Sequence, residues 1–185
     1  MSRMLEIPSE KLTAIQRQIL AERAAGPIAT VGGPAVPLIR SPELMRHLQK
    51  VGEHLRTHSA IGLRLHAIAI LMTARHWTQQ YVWDYWHPVA SKAGVTPIIT
   101  RAIAEGRRPE SMASDEEVLY DFLSELFANQ CVSDRTYERA IAQFGEQGVV
   151  DAVAAVGHFS SLSMIMNVVR TDLPEGHSPA LPVLP

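Results

Sequence analysis

The chain has 185 residues, 46% of them hydrophobic, and a formal net charge of −2, which is enough apolar material for one sizeable core. Its lysines and arginines are scattered, so no basic stripe exists to neutralise a phosphate backbone and nucleic acid is excluded as an expected partner. Cys131 is the single cysteine. That excludes an intrachain disulfide, a Cys-x-x-Cys redox pair and a thiolate zinc cage within one subunit, and favours a reducing, cytoplasmic setting.

The first residues, MSRMLEIPSEKL, lack an apolar stretch flanked by basic residues, and no uninterrupted apolar run of about 18 residues follows. Neither secretion nor a membrane partner is expected. Ser9 reads as the cap of a first helix running to Ala25 and closed by Gly26 and Pro27. Gly26 to Arg40, with Gly32, Gly33 and three prolines, reads as a loop. Ser41 and Pro42 supply a cap and an N1 proline for a second helix to about Thr57. Leu63 to His76 is strongly helical, and Thr78 is the expected cap of a segment to Ala93, closed by Gly94. These two helices should form the centre of the domain. Thr96-Pro97 opens a short helix ended by Gly106, and Ser114 to Glu117 matches a capping box for a helix to about Asn129.

Ser133 begins another helix, and a last long one covers roughly Gln147 to Val169, the interruptions by Asp151, Gly157, His158 and three serines marking it as buried in protein rather than in lipid. Pro174, Pro179, Pro182 and Pro185 forbid regular structure beyond it. The expected organisation is all-α: one compact helical bundle over residues 1–173 and a Pro-rich tail over 174–185, forming an arm or disordered.

Arg75 to His87 holds two of the eight histidines, all three tryptophans and two of the four tyrosines within thirteen residues. If helical phase continues through Thr78, His76, Gln80, Trp83 and His87 share one face, with Arg75, Gln79, Val82 and Trp86 on the adjoining stripe. Such a wall mixes imidazole, guanidinium, amide and indole. It suits a small anionic, unsaturated organic substrate, which needs apolar surroundings, a cation for a carboxylate or oxyanion, and a group titrating near neutrality. The alternative is an aromatic interface helix with satisfied histidines. His158 interrupts an apolar run, where burying an imidazole is costly unless it is paired, and reads as either a second wall of that pocket or a hydrogen-bonded core histidine. His47, His54 and His58 share a stripe without a carboxylate, and no metal is expected there. Cys131 has no evident activating base and reads as a packed thiol.

Several blocks together resemble the carboxymuconolactone decarboxylase-like superfamily, which includes alkylhydroperoxidase-like proteins. They are SPELMRHLQKVGEHLR, RLHAIAILMTARHWTQQYVW, HPVASKAGV and the stretch from Val118 to Asn167, covering roughly Arg40 to Pro174. Arg64, Arg75, Tyr81 and Trp83 match the family pattern. Ala67 and Val82 stand where glutamates are usual, Trp86 where a histidine is usual, and His158 where an aromatic residue, often tyrosine, is common.

The resemblance implies a helical bundle, trimers or hexamers, active sites near subunit interfaces and a cofactor-free carboxy-lyase acting on a small carboxylated lactone from aromatic-compound catabolism. Arg75 would stabilise the charge left by loss of CO2, and His87 or His158 would donate the proton. His76, Gln80, Tyr81, Trp83 and Trp86 would bind the substrate. A lactone or enol isomerase and a non-catalytic, ligand-binding paralogue on the same scaffold are the alternatives; a lone Cys131 disfavours alkylhydroperoxidase chemistry. Light scattering is expected to show an oligomer, whereas a well-behaved monomer at micromolar concentration would remove the basis for an interface-built site.

Overall fold

The structure, a computed structural model, describes residues 2–26 and 32–182. The described residues contain eight α-helices and no strand: α1 (Ala14–Ala25), α2 (Ala35–Leu38), α3 (Pro42–His58), α4 (Gly62–His76), α5 (Gln80–Lys92), α6 (Pro97–Ala104), α7 (Ser114–Asn129) and α8 (Asp134–Val169). The all-α expectation holds. Most boundaries follow the predicted caps, and where they differ the reason is local.

Ser9 opens only a 3-10 turn, Ser9–Lys11. The cap of α1 is Thr13, whose hydroxyl accepts from the Gln16 amide while the Gln16 side chain accepts from the Thr13 amide, a reciprocal pair that outcompetes a lone serine. The expected loop from Gly26 to Arg40 contains α2, in which Ala35, Pro37 and Leu38 are buried; its prolines lie where no helical hydrogen bond needs their nitrogen. Residues 27–31 of that loop lie outside the described residues. At α7 the N-cap is Ala113, not Ser114: Glu116 accepts from the Ala113 amide and also pairs with Arg64, which holds Asp115 at 2.5 Å.

α4 is the hub. Leu65 to Arg75 are all buried, so this stretch of the helix has no solvent face, and α3, α5, α6, α7 and α8 pack around it. A helix apolar all round can lie only in a core. α8 is long and apolar enough by length and composition to cross a membrane, yet half of its most apolar window is buried inside the molecule. It comprises two helices joined across Gly145, whose φ of 69° breaks the run, in agreement with the two helices predicted. Asp151, buried on α8, accepts from the Ala60 amide at 2.8 Å and so fastens the α3–α4 turn.

Thr78 does not cap α5. It takes a left-handed conformation, φ 47°, and its hydroxyl accepts from Arg75. Gln79 is the cap: its side-chain oxygen accepts from the Tyr81 amide at 2.7 Å and its nitrogen donates to Asn167, which donates in turn to the Trp77 carbonyl. This amide pair, buried on the Gln79 side, ties the α4–α5 turn to α8.

Over its described residues, 174–182, the tail is an arm without regular structure. Leu181 is 3% exposed, the Gln80 side chain accepts from the Ala180 and Leu181 amides and donates to the Leu181 carbonyl, and His177 lies 2.9 Å from Asp84. Since Leu181 anchors the arm, Leu181→Ala should lower stability by about 2 kcal/mol and raise amide exchange over residues 177–182. Unchanged exchange there would show that the arm is held by other contacts.

Candidate functional site

Four helix faces and the end of α2 enclose a cavity of ≈ 90 Å³. α3 contributes Met45, Leu48, Gln49, Gly52 and Arg56, positions that recur every three or four residues and therefore share a face. α5 contributes Tyr81, Val82, Tyr85 and Trp86; α8 contributes His158, Phe159, Leu162 and Met166; α1 contributes Arg23. The walls are mostly apolar, and none of the described residues lining them is Asp or Glu.

Arg56 is positioned by a hydrogen bond and by packing on aromatic rings. Arg56 donates from Nη1 to the Tyr85 hydroxyl at 3.0 Å, and its guanidinium carbon lies 5.2 Å from the Trp86 ring centroid and 5.9 Å from that of Tyr85. An aromatic face attracts a cation without neutralising it, so Arg56 keeps its full charge for a ligand. Arg23 is buried, and burial lowers its proton affinity while Tyr81 and Tyr85 nearby act in the other direction. An arginine stays protonated regardless. Burial also raises the pKa of Tyr81, which keeps that phenol a neutral donor. Its ring lies beneath Gly33, where the backbone is left-handed (φ 61°) and an added Cβ would come 2.2 Å from Tyr81 Cε1.

His158 stands edge-on to Phe159, with centroids 5.1 Å apart. Its Nδ1 is buried without a hydrogen-bond partner, and burial pushes its pKa down to about 4. The opposite corner of the ring faces α3, where a Cβ on Gly52 would come 2.9 Å from Nε2. Glycine in a helix interior costs about 0.5–1 kcal/mol relative to alanine, and here it makes room for an imidazole. Behind this wall His66 is fully buried between Trp86 and Phe159, with both nitrogens unpartnered. Burial, then the nearby Arg56 and His158, push its pKa to about 4 against a weaker opposing pull from Asp151.

The residues singled out in the sequence are therefore divided. His158, Tyr81 and Trp86 line the cavity. Arg75 and His76 do not; they line a separate open groove between α4, α6 and α7, where His76 stacks on Phe127 at 4.6 Å. Arg75 donates to the Ala104 and Pro182 carbonyls and to Thr78, so it ends α6 and holds the arm. Gln80 is engaged by the arm. Trp83 is buried beneath His87, whose exposed ring lies 5.8 Å from it, with Nε2 3.3 Å from the Thr100 hydroxyl. The common cavity expected for Arg75, His87 and His158 does not form, because the left-handed Thr78 resets the helical phase between His76 and Gln80. His54 and His58 stack at 5.5 Å, and no group of three or more metal-ligating side chains occurs among the described residues. Cys131 is exposed rather than packed.

Arg23, Gln49, Gly52, Arg56, Tyr85 and His66 escaped the sequence reading. For Arg56 a signal existed: it continues the stripe of Met45, Gln49 and Gly52, so a cation ends an otherwise apolar and small-residue face.

No protein-family profile and no curated protein matches the sequence. The fold is similar to that of a crystal structure from Agrobacterium tumefaciens, a protein of unknown function provisionally described as the antioxidant defence protein AhpD. The TM-score is 0.66 at 15% identity, over 74% of this chain and 94% of the other. The fold is thus AhpD-like, in line with the resemblance drawn from the sequence.

Both buried histidines titrate near pH 4 in the folded protein, against about 6.5 when unfolded. Between those values the unfolded chain binds more protons, so stability rises with pH through the window and is lost as pH falls from about 6.5 towards 4. Denaturant titrations should accordingly give a lower unfolding free energy at pH 5 than at pH 7.5, and His66→Leu should reduce that slope by up to one proton. An unaltered slope would mean that His66 is not held neutral by the fold.

Proposed function

We propose that this AhpD-like protein is a cofactor-free carboxy-lyase acting on a small carboxylated lactone or a comparable unsaturated carboxylate. The observation that carries the reading is a mostly apolar cavity in which Arg23, Arg56 and His158 face the same space with no carboxylate among the described lining residues. An anionic substrate meets the Arg56 guanidinium and, among the described lining residues, no repelling carboxylate. Val82, where the resemblance leads one to expect a glutamate, lies in this wall, so the usual acid/base carboxylate is replaced by an aliphatic surface that disfavours a solvated carboxylate.

In the chemistry proposed, the bond between the ring carbon and the carboxylate breaks, CO2 leaves, and the electron pair spreads through the ring into the lactone carbonyl as a dienolate. Arg56 stabilises that oxyanion, with the Tyr85 hydroxyl holding its guanidinium in place. His158 supplies the proton. In the free protein it is neutral at pH 7, but an anion bound beside it favours the protonated ring, so the substrate brings a proton onto the imidazole as it binds. Delivery of that proton to the ring carbon restores neutral His158.

Self-association belongs to the proposal as well. Val150, Val153, Met164 and Val168 are exposed along one side of α8, an apolar face that a second copy would cover. Cys131 is not among the cavity-lining residues and is the only cysteine, which gives no support to peroxide reduction through a thiol pair. The absence of a carboxylate acid among the described cavity residues favours one other reading, a ligand-binding paralogue without turnover.

The test is CO2 release from carboxymuconolactone and related γ-carboxylated butenolides, followed spectrophotometrically. His158→Ala should lower kcat by about 10²-fold or more with little change in Tm. Arg56→Ala should lower kcat and raise KM. Binding without CO2 release across the panel would establish the paralogue reading, and full turnover by His158→Ala would remove the histidine from the reaction.

A further inference from the structure

We infer that Gly52 is a positioning residue: the side chain it lacks is what lets His158 present Nε2 to a carboxylate-bearing ligand in the cavity. The inference rests on the role given above to His158 and deepens it. Gly52 lies well inside a 17-residue helix and is buried. No positive φ is found there, so the backbone does not require glycine. Nor does a closely approaching main chain, because the three atoms nearest a Cβ at this position all belong to the His158 ring: Nε2 at 2.9 Å, Cε1 at 3.6 Å and Cδ2 at 3.7 Å. Those distances place Nε2 as the corner of the ring directed at Gly52.

The other nitrogen cannot take over. Nδ1 is buried without a partner, so a ligand reaches it only after the ring turns. Nε2 is left to exchange the proton, and it does so beside the residues that would hold an anion. Gln49 and Arg56 flank Gly52 at one helical turn on either side of the same α3 face, and all three line the cavity. A carboxylate held by Arg56 therefore lies in the same cavity as the gap into which the imidazole points. Adding a methyl group at residue 52 leaves every cavity cation in place and displaces only the ring. Misplacement of a reacting group by an ångström costs as much as 10²-fold in rate.

Gly52→Ala, His158→Ala and the double variant provide the test, with benzoate as a binding probe, carboxymuconolactone as the turnover probe and 15N-labelled histidine as the spectroscopic reporter. The His158 imidazole resonance is identified by its loss from His158→Ala. In Gly52→Ala it should shift, benzoate affinity and KM should stay within about threefold of the unmodified protein, and kcat should fall tenfold or more. Thermal denaturation supplies an independent arm: Gly52→Ala should raise Tm more in the His158→Ala background than in the presence of His158, because the alanine then meets no ring. An unmoved His158 resonance in Gly52→Ala, or equal Tm changes in the two backgrounds, would overturn the inference. If the unmodified protein neither binds benzoate nor turns over the lactone, the functional reading fails, while the resonance and the denaturation cycle still decide whether Gly52 positions His158.

Discussion

The burial of α4 from Leu65 to Arg75 is the constraint on which the rest of the molecule depends. Eleven consecutive residues, Leu65 to Arg75, lie out of solvent, so five other helices are needed to cover them and every polar group among them must find a partner within the protein. Thr73 solves this by donating back to the Ala69 carbonyl at 2.7 Å. Arg75 solves it in part, by directing its two terminal nitrogens to the end of α6, the C-terminal arm and Thr78 while Nε stays unpartnered. His66 does not solve it; the fold holds it neutral between two aromatic rings instead. Two of the three polar groups carried inward on this helix thus serve architecture, and the third borders the cavity wall.

Architecture was largely legible in the sequence because helix ends announce themselves locally. Ser41-Pro42, Thr96-Pro97 and Ser133 each open a helix within a residue of where they should, since capping is an interaction over three or four residues. The site was less legible, because it depends on angles between elements. A single left-handed residue, Thr78, turns the aromatic cluster from one continuous face into two. Nothing in the residue type threonine signals that conformation, which sits beside a Gln79–Asn167 hydrogen bond spanning 88 positions of sequence.

The chemistry inferred from composition nevertheless reappears with different residues. A cation, an imidazole, a phenol and an indole do meet in one apolar space, but the cation comes from α3 and α1 and the imidazole from α8. Arg75 matched the family pattern while serving the C-terminal arm, and Arg56, unremarked in the sequence, stands on Trp86 in the cavity. Matching a residue to a pattern gave its position in the chain; its neighbours in space came from the packing around α4.

Gly33 and Gly52 each lie against one of the cavity's polar side chains, and they differ in how evolution can use them. At Gly33 a side chain would meet both a left-handed backbone and the Tyr81 ring, so replacement is a folding lesion and would be purged whatever the ligand. Gly52 has no such backbone demand, and the ring opposite it belongs to a side chain that can turn. Drift at that codon would be screened by the chemistry of the cavity rather than by the integrity of the bundle. α3, and not the loop over Tyr81, is therefore the route by which descendants of this scaffold could acquire a different ligand while keeping the same fold.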